Sequence, residues 1–276
     1  MKILLVGDAH SDLDYSRAAS RLAAERGIDT VVQLGDLEYS PQTMTGRSFI
    51  ESLGDASAEF AVRWCWLHGN HDDWNSLQDA ATDWRSDEGF VPIADRIFYI
   101  PQGHRWMWRS HRFASLGGAV SLDWATRTEG FDWWPKGETI GADDVAHVGA
   151  ERVDVFLSHD APSSSPLEYS GTADREDVRR ALLLRSTLQG VIERTHPLIV
   201  FHGHWHERYT FEMSMVSQPG NVAVVSRIEG LASNAEPIDQ ALMILDLDPH
   251  TDGVELELSR PGDTSEIRLR DGVWCQ

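Results

Sequence analysis

Lys2-Ile3-Leu4-Leu5-Val6-Gly7-Asp8-Ala9-His10 and Thr30-Val31-Val32-Gln33-Leu34-Gly35-Asp36 share one design. An apolar run of strand length stops at a glycine, and an aspartate follows at once. The segment between them, Asp14–Arg26, reads as a helix that ends at Gly27. A helix in the Met44–Phe60 region leads to a third apolar run, Val62–Leu67. Strand, helix, strand, helix, strand implies right-handed parallel crossovers, so the class is α/β.

Further along, the pattern changes. Ile97–Ile100, Trp106–Trp108 and Arg112–Leu116 are short and separated by turn residues, which predicts antiparallel hairpins. Val153–Leu157 is another apolar run, followed by a Pro/Ser-rich loop at Ala161–Pro166, and Asp174–Arg194 is the longest helical stretch. Leu198–Phe201, Val222–Ser226, Ala241–Leu247 and Val254–Leu258 complete the predicted strands. No linker, low-complexity segment or repeat divides the chain, so the expectation is a single domain over residues 1–276. The hairpins argue for a second sheet. The expected fold is therefore two packed mixed β-sheets flanked by helices, a four-layer α/β/β/α sandwich.

The formal net charge of −20 is far from zero and repels polyanions. Stable binding to duplex nucleic acid is not expected. A bound cation pair would reverse the field locally, which leaves a small phosphate substrate open. Two cysteines, Cys65 and Cys275, make no disulfide framework and have no neighbours at zinc-ligand spacing. The apolar start is too short for a signal peptide, and no apolar run is long enough to span a membrane, so the expected location is the cytoplasm.

Five short segments carry the chemistry: Asp8-Ala9-His10; Gly35-Asp36; Gly69-Asn70-His71-Asp72; Ser158-His159-Asp160; and His202-Gly203-His204-Trp205-His206. Each directly follows an apolar run. In an open α/β sheet such loops gather at the carboxyl edge of the strands, where ligands bind. Taken singly, each has a plainer reading as a helix cap, a turn or a core histidine. All five in order, each ending a strand, make a metal site the better reading. Carboxylate, imidazole and amide oxygen without thiolate suit Mn²⁺, Fe, Zn²⁺, Ni²⁺ or Co²⁺. The groups are too many for one open catalytic ion, but a bridging carboxylate between two ions would use them all.

The order Asp-x-His, Gly-Asp, Gly-Asn-His-Asp, His, Gly-His-x-His resembles the full motif set of the calcineurin-like metallophosphoesterases. Position by position, the resemblance implies one metal held by Asp8, His10, Asp36 and His206. The second would be held by Asp36, Asn70, His159 and His204, with Asp36 as the bridge. Mn²⁺ is the expected ion. His71 matches the family's catalytic histidine, which donates a proton or hydrogen bond to the leaving oxygen. The protein Ser/Thr phosphatases of the superfamily carry Gly-Asp-x-x-Asp-Arg-Gly, where this chain has Gly35-Asp36-Leu37-Glu38-Tyr39-Ser40-Pro41. That departure disfavours protein phosphatase activity.

Of the 11 tryptophans, Trp106, Trp108, Trp124, Trp133 and Trp134 cluster in the middle of the chain. They are expected to pack between the sheets; the alternative is a base-stacking wall of Trp133 and Trp134 with Arg127 on phosphate. Asp72 is expected to cap the following helix, and Asp160 to orient an imidazole or cap a turn. His68 and His202 have no assigned role. The resulting expectation is a metal-dependent phosphodiesterase acting on a small nucleotide, such as a 2′,3′-cyclic monophosphate, through a metal-bridging hydroxide. The alternatives are a phosphomonoesterase, a single-strand nuclease, or a scaffold that has lost catalysis.

Overall fold

The structure, a computed structural model, describes residues 1–80, 85–169, 173–216, 223–248, 253–257 and 265–270. In chain order the elements are β1 (Lys2–Val6), α1 (Leu13–Glu25), β2 (Thr30–Gln33), α2 (Met44–Glu59), β3 (Arg63–Trp66), α3 (Trp74–Asp79), β4 (Val91–Ala94) and β5 (Ile97–Tyr99). Next come β6 (Arg105–Trp108), β7 (His111–Leu116), a 3₁₀ turn at Trp124–Thr126, α4 (Ala142–Val148), β8 (Val155–Ser158), α5 (Arg175–Thr195) and β9 (Ile199–His202). The last are β10 (Tyr209–Val216), β11 (Ala223–Gly230), α6 (Ile238–Ala241), β12 (Leu242–Asp248), β13 (Gly253–Glu257) and β14 (Ser265–Arg270).

Among the described residues the strands form two mixed sheets. The first runs β13-β14-β12-β1-β2-β3-β5-β4 and the second β10-β11-β9-β8-β7-β6. β1, β2 and β3 are parallel, as are β7, β8 and β9. Strand alternation explains the layering, because successive side chains leave opposite faces. Leu4, Val6, Val31 and Trp64 pack with Ala19, Ala23 and Leu53 of the outer helices. Their neighbours Ile3, Leu5, Val32 and Cys65 meet Phe113, Val155, Leu157, Ile199 and Phe201 of the other sheet. Phe156 and Val200 face the other way, onto Leu188, Val191 and Ile192 of α5. The result is the expected sandwich of helix, sheet, sheet and helix.

One expectation is corrected. Ile97–Tyr99 is not part of a hairpin with the 106–108 strand; it lies parallel to β3 in the first sheet, paired with β4 on its other side. β4 itself carries Pro92, a residue that argues against a strand but is tolerated at an edge, which is where β4 lies. Residues 222 and 258, expected in strands, lie outside the described residues. β14 lies parallel to β12, and β12 lies antiparallel to β1, so both ends of the chain share one sheet. No described helix is long and apolar enough to cross a membrane.

Candidate metal centre

The carboxyl ends of β1, β2, β3, β8 and β9 release the five motifs at one edge of the sandwich. The backbone there is bent hard: His10, Asp36, His204 and His206 have φ of 44°, 57°, 65° and 54°. A non-glycine residue in this left-handed region costs roughly 1–3 kcal/mol, and such strain collects at functional sites. The glycines answer a different demand. A Cβ on Gly69 would overlap Asp36 Oδ1, and one on Gly203 would overlap Asp8 Oδ1. Both positions let backbone run directly against a carboxylate.

The side chains converge in three overlapping groups, Asp8–His10–His206, His10–Asp36–His71 and Asp36–His159–His204, with ligand atoms in each within 4.8 Å of one another. His206 Nε2 lies 3.0 Å from Asp8 Oδ2 and 3.1 Å from His10 Nε2. His159 Nε2 lies 3.4 Å from Asp36 Oδ1 and 3.1 Å from Asn70 Oδ1. Asp36 thus belongs to two of the groups, on either side of one carboxylate. Backbone N–H groups fix the carboxylates: His204 N donates to Asp8, and His71 N donates to Asp36 Oδ1 at 2.8 Å. His159 Nδ1 sits 2.8 Å from the Leu34 carbonyl, which can only accept, so Nδ1 donates there and Nε2 is the nitrogen that a neutral ring would offer to a cation beside Asp36. Asn70 donates its amide N–H to Ser121 Oγ at 3.0 Å, which turns its oxygen toward the cluster.

The electrostatics ask for cations. Burial opposes charge on His159, but Asp36 and then Asp8 outweigh it and raise the ring to about 10. Burial likewise opposes His10, while Glu38, Asp36 and Asp8 raise it to about 9. Against burial, His159 and His71 hold Asp36 well below the usual carboxylate range. A divalent cation would satisfy the same field with both rings neutral. Oxygen and imidazole donors converging from several loops, with their orientation already fixed, fit divalent metal ions.

His71 occupies the boundary of this cluster. Arg127 NH2 lies 2.9 Å from His71 Nε2, and since a guanidinium has no acceptor, Nε2 accepts. Asp123 holds Arg127 in place at 2.7 Å. A cavity of about 460 Å³ opens here, with Asp36, Asn70, His71, Arg127, His204 and His206 in its lining. Val120, Leu122, Tyr169 and Trp205 form its less polar wall. Trp205 is pinned: its indole N–H donates to Asp160 Oδ1 at 2.8 Å, and the Arg185 guanidinium lies 4.8 Å from the ring centre.

Several residues stand elsewhere than the sequence suggests. Asp72 does not cap a helix. It is buried and accepts from the backbone N–H of Asp36, Tyr39 and Gly69, while Asp73 caps α3. Burial, then Asp36, pushes its carboxyl up to about 7. Asp160 orients Trp205 rather than an imidazole, and its Oδ1 also accepts from the Ala161 N–H at 2.7 Å at the turn that follows. Trp106 and Trp108 do pack between the sheets. Trp133 and Trp134 neither pack there nor line the cavity beside Asp36 and Asn70. Trp133 stacks on Trp124 and donates to Glu138 Oε1, which also accepts from Ser121 N. Trp133 therefore supports the loop that orients Asn70. Trp134 is buried and faces a second cavity beyond His71. His68 ties Tyr99 to the Gly137 carbonyl, and His202 lies between Tyr209 and the Gly203 carbonyl.

Glu38 is a site residue that sequence reading missed, as are Tyr169 and Trp205 on the cavity wall. Glu38 accepts from Ser11 at 2.6 Å and lies 3.6 Å from His10 Nδ1 and 4.0 Å from His71 Nδ1. Its position two residues after Asp36 was the available signal.

Residues 1–208 match the family model described as calcineurin-like phosphoesterase. No curated protein matches the sequence. Among solved structures, the crystal structure of TT1561 of Thermus thermophilus superposes with a TM-score of 0.51 at 14% identity, over 86% of this chain and 91% of that one. At that identity the likeness speaks for the fold alone. The family match spans every motif from Asp8 to His206, and members of this family hydrolyse phosphate esters with divalent metals. This chain belongs to the calcineurin-like phosphoesterase family.

Proposed function

We propose that the protein is a phosphodiesterase with two divalent metals that hydrolyses a small nucleotide diester. Asp8, His10, Asp36 and His206 would hold one ion, and Asp36, Asn70, His159 and His204 would hold the other. Mn²⁺ is the preferred ion. Bound there, the metals supply Lewis acidity toward the phosphoryl oxygens and a nucleophile from water at neutral pH. The observation that carries the reading is the placement of Arg127 and His71 together on the wall of the cavity beside Asp36 and Asn70.

The chain's own residues then divide the work. Arg127 grips the non-bridging phosphoryl oxygens, for which its planar fork is suited. An anionic ester draws the guanidinium onto itself and frees His71 Nε2, 2.9 Å away, to carry the proton that the leaving oxygen takes. Trp205 and Tyr169 give a nucleoside an aromatic surface, in place of the Trp133 and Trp134 wall that the sequence offered as the alternative to core packing. The single-domain organisation over residues 1–276 and a cytoplasmic location belong to the same reading.

The test is a panel of bis-p-nitrophenyl phosphate, p-nitrophenyl phosphate and 2′,3′-cyclic nucleotides, each with Mn²⁺, Ni²⁺ or Zn²⁺ after chelation. Turnover of the diesters above the monoester supports the reading. Turnover of p-nitrophenyl phosphate alone replaces it with a phosphomonoesterase, and no turnover with any metal removes it.

A further inference from the structure

His71 lines two cavities. The second, also about 460 Å³, lies away from Asp36 and Asn70 and is bounded by Ser11, Glu38, Ser40, Thr45, Phe131 and Trp134, among others. Its chemistry differs from that of the first. Hydroxyl groups come from Ser11, Ser40, Thr43 and Thr45, carboxylates from Glu38 and Asp132, and aromatic rings from Phe49, Phe131 and Trp134. Ser40 Oγ has no hydrogen-bond partner among the described residues. Thr45 is exposed, and its hydroxyl makes one long bond of 3.3 Å to Thr43. Phe131 is 64% exposed, a large apolar side chain left in water at the rim. Among the described residues no arginine or lysine lines the cavity, while both carboxylates do. An anion is disfavoured there. Hydroxyls and carboxylates that can pair with O–H groups, beside aromatic faces that can cover C–H, suit an uncharged polyhydroxylated ligand.

Resting on the phosphodiesterase reading above, we infer that this second cavity is the subsite for the leaving alcohol, and that it selects an uncharged polyol. A phosphodiester has two arms. With the phosphoryl group beside Asp36 and Asn70, one arm lies against Tyr169 and Trp205. The other, whose oxygen meets His71, continues past the ring into the second cavity. A cavity of this size lies within the range of ordinary small-ligand sites. In the reaction water oxygen bonds to phosphorus and the bond from phosphorus to the alcohol oxygen breaks. That oxygen leaves with the proton from His71. The preferred substrate is then an open diester of two separate alcohols, rather than a cyclic ester whose leaving oxygen stays attached.

The experiment compares nucleoside 5′-phosphodiesters carrying propyl, 2,3-dihydroxypropyl or phosphoglyceryl as the second arm, with product identification by chromatography. The metal-loaded enzyme is expected to cleave the dihydroxypropyl ester with kcat/KM at least about tenfold above the propyl ester, releasing glycerol and nucleoside 5′-phosphate. The anionic phosphoglyceryl ester should fall below both. Ser40→Ala and Thr45→Val, which remove hydroxyls with little or no bonding inside the protein, should bring the dihydroxypropyl-to-propyl ratio toward one. Three outcomes overturn the subsite alone: a wild-type ratio near one, a ratio that neither variant changes, or release of free nucleoside in place of glycerol. Failure to cleave any of the diesters removes the phosphodiesterase reading and the subsite with it.

Discussion

Asp72→Ala should destabilise the protein strongly, although Asp72 touches neither solvent nor any proposed ligand side chain directly. Its carboxylate accepts at 3.1 Å from Asp36 N, 2.8 Å from Tyr39 N and 2.7 Å from Gly69 N, all buried. A buried donor left without a partner costs about 1–3 kcal/mol. Three of them, partly relieved by water entering the void, give roughly 3–6 kcal/mol, a large share of an ordinary domain's stability. Asp72→Asn keeps one oxygen. If that oxygen stays toward Gly69 and Asp36, the Tyr39 bond is lost and its N–H faces the amide NH2, at about 1–3 kcal/mol. Urea unfolding of the chelated proteins measures both differences without a contribution from bound metal. The same bond from Asp36 N holds Asp36 in its φ of 57°, so metal content in the Ala variant should also fall. An Ala variant within about 1 kcal/mol of wild type would refute the account. So would an Asn variant as unstable as Ala, since the two bonds to its remaining oxygen would then contribute nothing measurable.

Three further outcomes are expected. Asp36→Asn should reduce bound metal from two ions per chain to about one or fewer, read by elemental analysis after dialysis, because both proposed ions share this carboxylate. His71→Ala should keep both ions and lower kcat by about 10²–10⁴-fold on an alkyl diester, with a smaller deficit on an aryl diester whose leaving group departs without a proton. Equal losses on both would remove the general-acid role. Trp205→Ala should raise KM for a nucleotide about tenfold, equivalent to about 1–2 kcal/mol of stacking, and affect p-nitrophenyl substrates less. Trp133→Ala should instead lower the melting temperature through the Glu138–Ser121–Asn70 connection, and a selective effect of Trp133→Ala on nucleotide KM would reverse these assignments.

The sequence by itself determined the frame and the set of chemical groups. Apolar runs ending at Gly7-Asp8, Gly35-Asp36 and Gly69-Asn70 announced buried parallel strands, because local burial pattern and turn chemistry are written in consecutive residues. These runs, with Val153–Leu157 and Leu198–Phe201, brought Asp8, Asp36, Asn70, His159, His204 and His206 to one edge, since strand direction alone decides where each following loop emerges. What only the tertiary structure decided were the partnerships between residues distant in the chain. Asp72 had the look of a helix cap because Asp next to a helix start caps locally; folding instead offered it the N–H groups of Asp36 and Tyr39, more than thirty residues away. Trp205 stands within the last motif and Trp133 in the aromatic segment between motifs, and neither position by itself says which ring lines the cavity. The packing of Trp124 against one and of Arg185 against the other assigns the first to a support and the second to the cavity wall. Glu38 acquires its place near His10 and His71 only when the loops after β1, β2 and β3 fold against one another.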